Sequence, residues 1–117
     1  MRDHRDLDVW KTAMDLVTKV YERTKELPKE EVYGLTAQIR RAAVSIPANI
    51  SEGAARQTDK EFVYFLFVAL GSASELETEL TVTERLGYLA EAKHLLEQVA
   101  AVKQMLNGLI RHYRIKP

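Results

Sequence analysis

The positions Phe62, Leu66, Ala69, Ala73, Leu76, Leu80 and Thr83 constrain the fold of this chain more than any other feature, because they follow one another at alternating intervals of four and three. Only an α-helix gathers residues so spaced on one face, and the 3-4 interval favours neighbours that cross at shallow angles. Before this seam, Thr58 and Glu61 have the T-x-x-E form of a capping box. After it, Gly87 suits a left-handed helix end. The pattern predicts a helix over residues 59–86.

Three further helices are expected, over about 8–26, 33–53 and 90–111, and nothing reads as a strand. The first would turn Leu7, Trp10, Met14, Val17, Tyr21 and Thr24 inward, and "LPKEE" would end it at Pro28. The second would bury Leu35, Ile39, Ala42, Ile46 and Ile50, and the fourth Ala92, Leu96, Val99, Leu106 and Ile110. Helices joined by short polar turns imply antiparallel neighbours. The expected fold is all-α, an antiparallel up-down-up-down four-helix bundle, and 117 residues suffice for one such domain over 1–117.

Composition narrows the function classes. The apolar share is 46% and the charged share 29%, ordinary for a soluble globular chain. With no cysteine, a disulfide framework, a thiolate zinc site and a cysteine nucleophile are excluded. The start "MRDHRDLDVW" has no apolar stretch behind it, and the longest apolar run, residues 62–70, is far short of the ~20 residues that span a bilayer. A cytoplasmic protein without membrane contact is expected. Net charge is zero but uneven. Residues 59–99 carry eight acids and three bases, or −5, whereas residues 100–117 carry four bases and no acid, or +4.

Catalytic chemistry is not indicated. Glu91 and His94 have the Glu-x-x-His spacing of di-iron bundles, but such sites need two of these motifs and two more carboxylates. Ser45, Ser51, Ser72 and Ser74 have no histidine partner visible in the sequence, and "SEGAAR" is not a phosphate loop. No enzyme activity, metal or cofactor is expected.

Assembly and binding are better represented. Tyr64, Phe67 and Val68 are apolar on faces of the third helix that the seam does not use, which points to a second covered side supplied by another subunit. Gly71, with Ser72, Ala73 and Ser74, faces the small residues Ala42, Ala43, Ser45 and Ala48 of the second helix, and close packing of the two helices explains the glycine. Arg40 or Arg41 is placed to reach Glu75 or Glu79, either as a register-fixing pair or as four solvated charges. Pro47 lies inside the second helix, where it removes a donor and crowds the Ala43 carbonyl, so a bend is expected. For nucleic acid the candidates are Arg56, Lys103, Arg111, Tyr113, Arg114 and Lys116, cations interleaved with an aromatic ring. The Arg40–Arg41 pair is the lesser candidate for the same role.

The blocks "LDVWKTAMDL", "YGLTAQIRRAAVSIPANISEG" and "EFVYFLFVALGSASELETEL", followed by "LGYL", resemble the bacterial proteins encoded in intervening sequences of 23S ribosomal RNA genes. The resemblance runs from about Leu7 to Leu89. It implies a left-handed antiparallel bundle assembled as a homopentamer, with a suspected nucleic-acid role. From the residue patterns above, Arg40, Arg41, Pro47, Tyr64, Phe67, Val68, Gly71 and Glu75 are the candidates for packing and assembly. The chain is more distantly similar to the bundle accessory proteins of diversity-generating retroelements. That likeness implies the alternative of an adaptor docking a polymerase or reverse transcriptase.

Overall fold

The computed structural model describes residues 2–114. Among them there is no strand, and the helices are α1 (Asp8–Arg23), α2 (Leu35–Ala54), α3 (Asp59–Arg85) and α4 (Lys93–Arg114). They form a four-helix bundle with a long dimension of 49 Å. Most of that length is α3, whose 27 residues span about 40 Å at the α-helical rise.

Both ends of α3 follow from local chemistry. The Glu61 amide donates to Thr58 Oγ1 at 3.1 Å, and the Thr58 hydroxyl donates to Glu61 Oε1 at 2.9 Å, which closes the cap that the sequence announced. At the other end Gly87 has φ +78°, the Tyr88 amide bonds to the Thr83 carbonyl and the Gly87 amide to that of Glu84. That pair of bonds is a Schellman ending. Between these caps Phe62, Leu66, Ala69, Ala73, Leu76, Leu80 and Thr83 are all buried.

The other boundaries shift. α1 stops at Arg23, and residues 24–26 continue as a single 3-10 turn. α2 begins at Leu35 because the Glu31 carboxylate, not a capping side chain at Gly34, receives the Leu35 amide at 3.1 Å. α4 begins at Lys93, where the Glu84 carboxylate takes the Ala92 amide at 3.0 Å and holds residues 86–92 as a loop. Leu89 and Ala92 on that loop are buried, so it closes the core as well as connecting the helices.

The inward face of α1 differs from the expected one. Val9, Ala13, Leu16 and Val20 are buried, and Met14 and Tyr21 are exposed. Two stripes of nearly equal apolar strength lie side by side on this helix, and the bulkier one was expected inside. The small Ala13 lets α1 approach its neighbours, while Leu7, Trp10 and Val17 flank the core and the Tyr21 ring carries the Arg40 guanidinium at 4.5 Å. On α4 and just before it the expected Ala92, Val99, Leu106 and Ile110 are buried, while Leu96 is only half-buried and Leu95 and Val102 are buried beside them.

α2 remains helical through Pro47, which is itself buried. The close approach of α2 to α3 is not at Gly71, which is exposed and has open space where a Cβ would stand. This corrects the reading of Gly71 as an internal packing residue. The approach is at Gly53, where a Cβ would lie 2.6 Å from the Phe65 Cβ and 3.1 Å from Phe62 Cδ1. Further along, Ser45 Oγ and Ser72 Oγ share a hydrogen bond of 2.9 Å, and the Asn49 amide donates to Ser45 Oγ at 2.9 Å. The two glycines therefore predict opposite outcomes. Gly53→Ala should cost roughly 1–3 kcal/mol through overpacking, whereas Gly71→Ala should add up to about 1 kcal/mol through helix propensity. Urea unfolding of both variants checks this.

Candidate functional site

One end of the bundle collects arginines and aromatic rings. The α2–α3 turn, the last turn of α4 and the N-terminal residues meet there. Arg2 donates to Asp59 Oδ1 at 2.6 Å and to the carbonyls of Arg56 and Thr58 at 2.9 and 3.4 Å. Its guanidinium lies 4.5 Å from the Phe62 ring centre and 5.6 Å from that of Tyr113. Phe62 and Tyr113 meet edge to face at 4.9 Å. Arg56 lies over the Phe65 ring at 4.8 Å and pairs with Glu52 at 2.9 Å. Arg114 lies over the Phe67 ring at 5.8 Å.

Four of the residues expected to contact nucleic acid therefore share this end, namely Arg56, Arg111, Tyr113 and Arg114. Arg111 is exposed. Lys103 stands apart. It lies ten residues before Tyr113, about 15 Å back along α4, and its ammonium is engaged by Glu77 Oε1 at 3.2 Å. Lys116 lies outside the described residues. An anion approaching this end meets the guanidinium groups of Arg56 and Arg114 lying over rings, an arrangement suited to phosphate contact with base stacking beside it.

A second surface runs along the outside of α3. Tyr64 is 63% exposed and Phe67 45%, with Val68 half-buried, Gly71 open, and Val82 and Leu86 exposed toward the far end. The spacing 64-67-71-75-78-82 repeats the 3-4 interval of the core seam on the opposite face. The Arg114 guanidinium lies over Phe67, and Tyr64, Gly71 and Val82 of this ridge stay exposed.

Between α1, α2 and α3 lies an open groove of about 850 Å³, lined by Tyr21, Tyr33, Ala37, Arg41, Val44 and Glu75 among others. Its floor exists because α2 shows small residues outward. Arg40 does not cross it to α3. Its guanidinium donates to Thr24 Oγ1 at 2.9 Å and to the Tyr21 carbonyl at 3.2 Å, tying α2 to the end of α1. Among the described residues neither arginine forms an ion pair with Glu75 or Glu79. Of the two alternatives the register-fixing pair is not formed, and Glu79 is buried rather than solvated. Arg40 found a nearer set of carbonyl and hydroxyl acceptors, and Arg41 is exposed.

Glu79 is consequently left buried, 9% exposed, with Oε1 lacking a hydrogen-bond partner. Burial raises its carboxyl from 4.5 to about 7, the adjacent Glu75 adds to the rise, and the Arg41 charge opposes it. Among the described residues no group of three histidine or acidic side chains is placed to hold a metal ion, and His94 lies 3.6 Å from Glu97. No helix among them is long and apolar enough to cross a membrane.

The family model of 23S rRNA-intervening sequence proteins matches residues 5–108. The chain belongs to that family. A crystal structure of a protein of unknown function from the S23 ribosomal protein family, from Bacteroides thetaiotaomicron VPI-5482, superposes with a TM-score of 0.81 at 24% identity. The match covers 88% of this chain and 95% of that one, so it shows a shared fold. Among curated proteins none matches.

Arg2, Gly53 and the isolation of Glu79 were not singled out by sequence. Glu79 gives a pH-dependent prediction. The folded chain keeps a proton that the unfolded chain releases between pH 4.5 and about 7. The associated stability is complete below pH 4.5 and is lost as pH rises through 7. Glu79→Gln should therefore stabilise the fold by roughly 1–3 kcal/mol at pH 8 and by nothing measurable at pH 4. Denaturant unfolding at the two pH values measures the difference.

Proposed function

We propose that this protein is a non-enzymatic, cytoplasmic, self-associating bundle that binds nucleic acid at its arginine-rich end. The observation that carries the reading is the convergence of Arg56, Arg111, Arg114 and Tyr113 on one end, with aromatic rings beneath two of the guanidinium groups. Within the bundle we read the helices as antiparallel, up-down-up-down and left-handed. Contacts of Ser45 with Ser72, Lys103 with Glu77, and Phe62 with Tyr113 support the antiparallel order.

Assembly is proposed as a homopentamer, the state that the family resemblance implies. The exposed ridge of Tyr64, Phe67 and Val82 supports self-association, since a monomer would leave it in water. Few cations on one subunit make weak binding, and repetition around an assembly multiplies them. The same ridge also suits a second reading, an adaptor that docks a protein such as a polymerase or reverse transcriptase.

Binding to structured RNA and duplex DNA across a salt series tests the proposal. Affinity should fall linearly in the logarithm of salt concentration. The double variant Arg111→Ala with Arg114→Ala should lower that slope by about 1 for each phosphate contact removed. Absence of binding at low salt would overturn the nucleic-acid reading and leave the adaptor.

A further inference from the structure

Arg40 and Arg41 are adjacent cations on α2, and among the described residues neither forms an ion pair. Arg40 is nevertheless fixed. Its Nε donates to Thr24 Oγ1 at 2.9 Å, its Nη2 donates to the Tyr21 carbonyl at 3.2 Å, and its guanidinium lies 4.5 Å from the Tyr21 ring centre. The Thr24 hydroxyl donates onward to the Val20 carbonyl at 2.7 Å, so it meets Arg40 as an acceptor. Hydroxyl, carbonyl and ring carry no net charge, so they hold the guanidinium without balancing it. Arg41 follows on the helix and is exposed. A cation held in one geometry by neutral partners is organised in advance for an oxyanion.

Both arginines line the groove between α1, α2 and α3, whose volume of about 850 Å³ is in the range that takes small organic molecules. Ala37 and Val44, one turn to either side of Arg41 on α2, keep its floor low. Tyr33, just before α2, lines it with a ring that is 95% exposed and open to a stacking partner. Ser45 and Ser72 also line it, but they are spent on each other and on Asn49. The remaining charged group is Glu75 on α3, exposed and paired with neither arginine. That carboxylate repels a bare polyanion and accepts from a molecule that has N–H or O–H donors away from its oxyanion. The lining therefore suits one molecule with three properties: an oxyanion, a flat ring and a donor.

We propose that this groove is a site for a nucleoside monophosphate, with the phosphate on Arg40 and Arg41, the base against Tyr33, and the base amine or ribose hydroxyls on Glu75. Two guanidinium groups against one carboxylate leave a single net positive charge, which matches a monophosphate better than a triphosphate. The site is distinct from the arginine-rich end. From Arg41 to the end of α2 at Ala54 is about 20 Å at the α-helical rise, and Arg56 lies beyond that. The proposal thus stands whether or not the far end binds a strand of nucleic acid.

Titration calorimetry of the full chain with AMP tests this, with adenosine, ribose 5-phosphate and inorganic phosphate titrated alongside. AMP should bind once per chain, and about tenfold or more tightly than adenosine or ribose 5-phosphate, each of which lacks one anchor. Arg41→Ala should weaken AMP binding by about tenfold or more, the loss of one charge-assisted contact. Because Arg41 is exposed, its replacement leaves the fold intact, which circular dichroism checks. Tyr33→Ala should bring AMP down to the affinity of ribose 5-phosphate. The double variant Arg111→Ala with Arg114→Ala should bind AMP as the wild type does. No binding at millimolar AMP overturns the proposal, and so does AMP binding no tighter than inorganic phosphate. Binding kept in Arg41→Ala but lost in the double variant overturns it as well, since the ligand then sits at the arginine-rich end.

Discussion

The contact of Gly53 with Phe62 and Phe65 sets the geometry on which the arginine-rich end depends. With no Cβ at position 53, the last turn of α2 lies directly on the first turn of α3. The chain then reverses in the few residues between Ala54 and Asp59, where the Thr58 carbonyl takes the Phe62 amide at 3.1 Å and the Arg56 carbonyl lies outside both helices. Arg2 donates to both carbonyls while stacking on Phe62. Arg56, carried around the same turn, comes over Phe65. The missing methyl group thus decides where two guanidinium groups stand.

Further along the same pair of helices the polar groups divide into answered and unanswered. Ser45, Asn49 and Ser72 satisfy one another across the interface and fix its register. Glu79 lies seven residues on from Ser72 and has no such partner for Oε1. Arg41 is near enough to influence its charge state but is exposed and not bonded to it. A helix pair that is complete at Ser45 and incomplete at Glu79 is asymmetric in a way that internal packing alone does not require.

Sequence revealed the fold where side-chain spacing had only one solution. The α3 seam and its Thr58 cap are of this kind, because no competing apolar stripe contains Phe62, Leu66 and Leu76 together. On α1 two stripes compete, and Ala13 on the buried one has too little area to announce itself. The arginines show the limit for the site. Arg40 and Glu75 are compatible in spacing and sign, yet Arg40 turns to Thr24 and the Tyr21 carbonyl, partners that a three-dimensional neighbour list supplies and a sequence does not. Gly71 and Gly53 are equal in the sequence; only the position of Phe65 tells them apart.

Net neutrality and a proposed role at phosphate are compatible because this chain spends much of its charge internally. Arg2, Arg56 and Lys103 are met by Asp59, Glu52 and Glu77. The acids so used come from the α2–α3 end and α3, which explains why the excess of acid in residues 59–99 does not cancel the base-rich end of α4. Arg111 and Arg114 remain displayed there, Arg114 over the Phe67 ring. Two displayed cations per chain create little field in water at physiological salt, where interactions are screened within about 8 Å. Fields from several copies add when the same end faces one way. Under the proposed self-association, the α3 ridge would decide how many times the arginine-rich end is repeated.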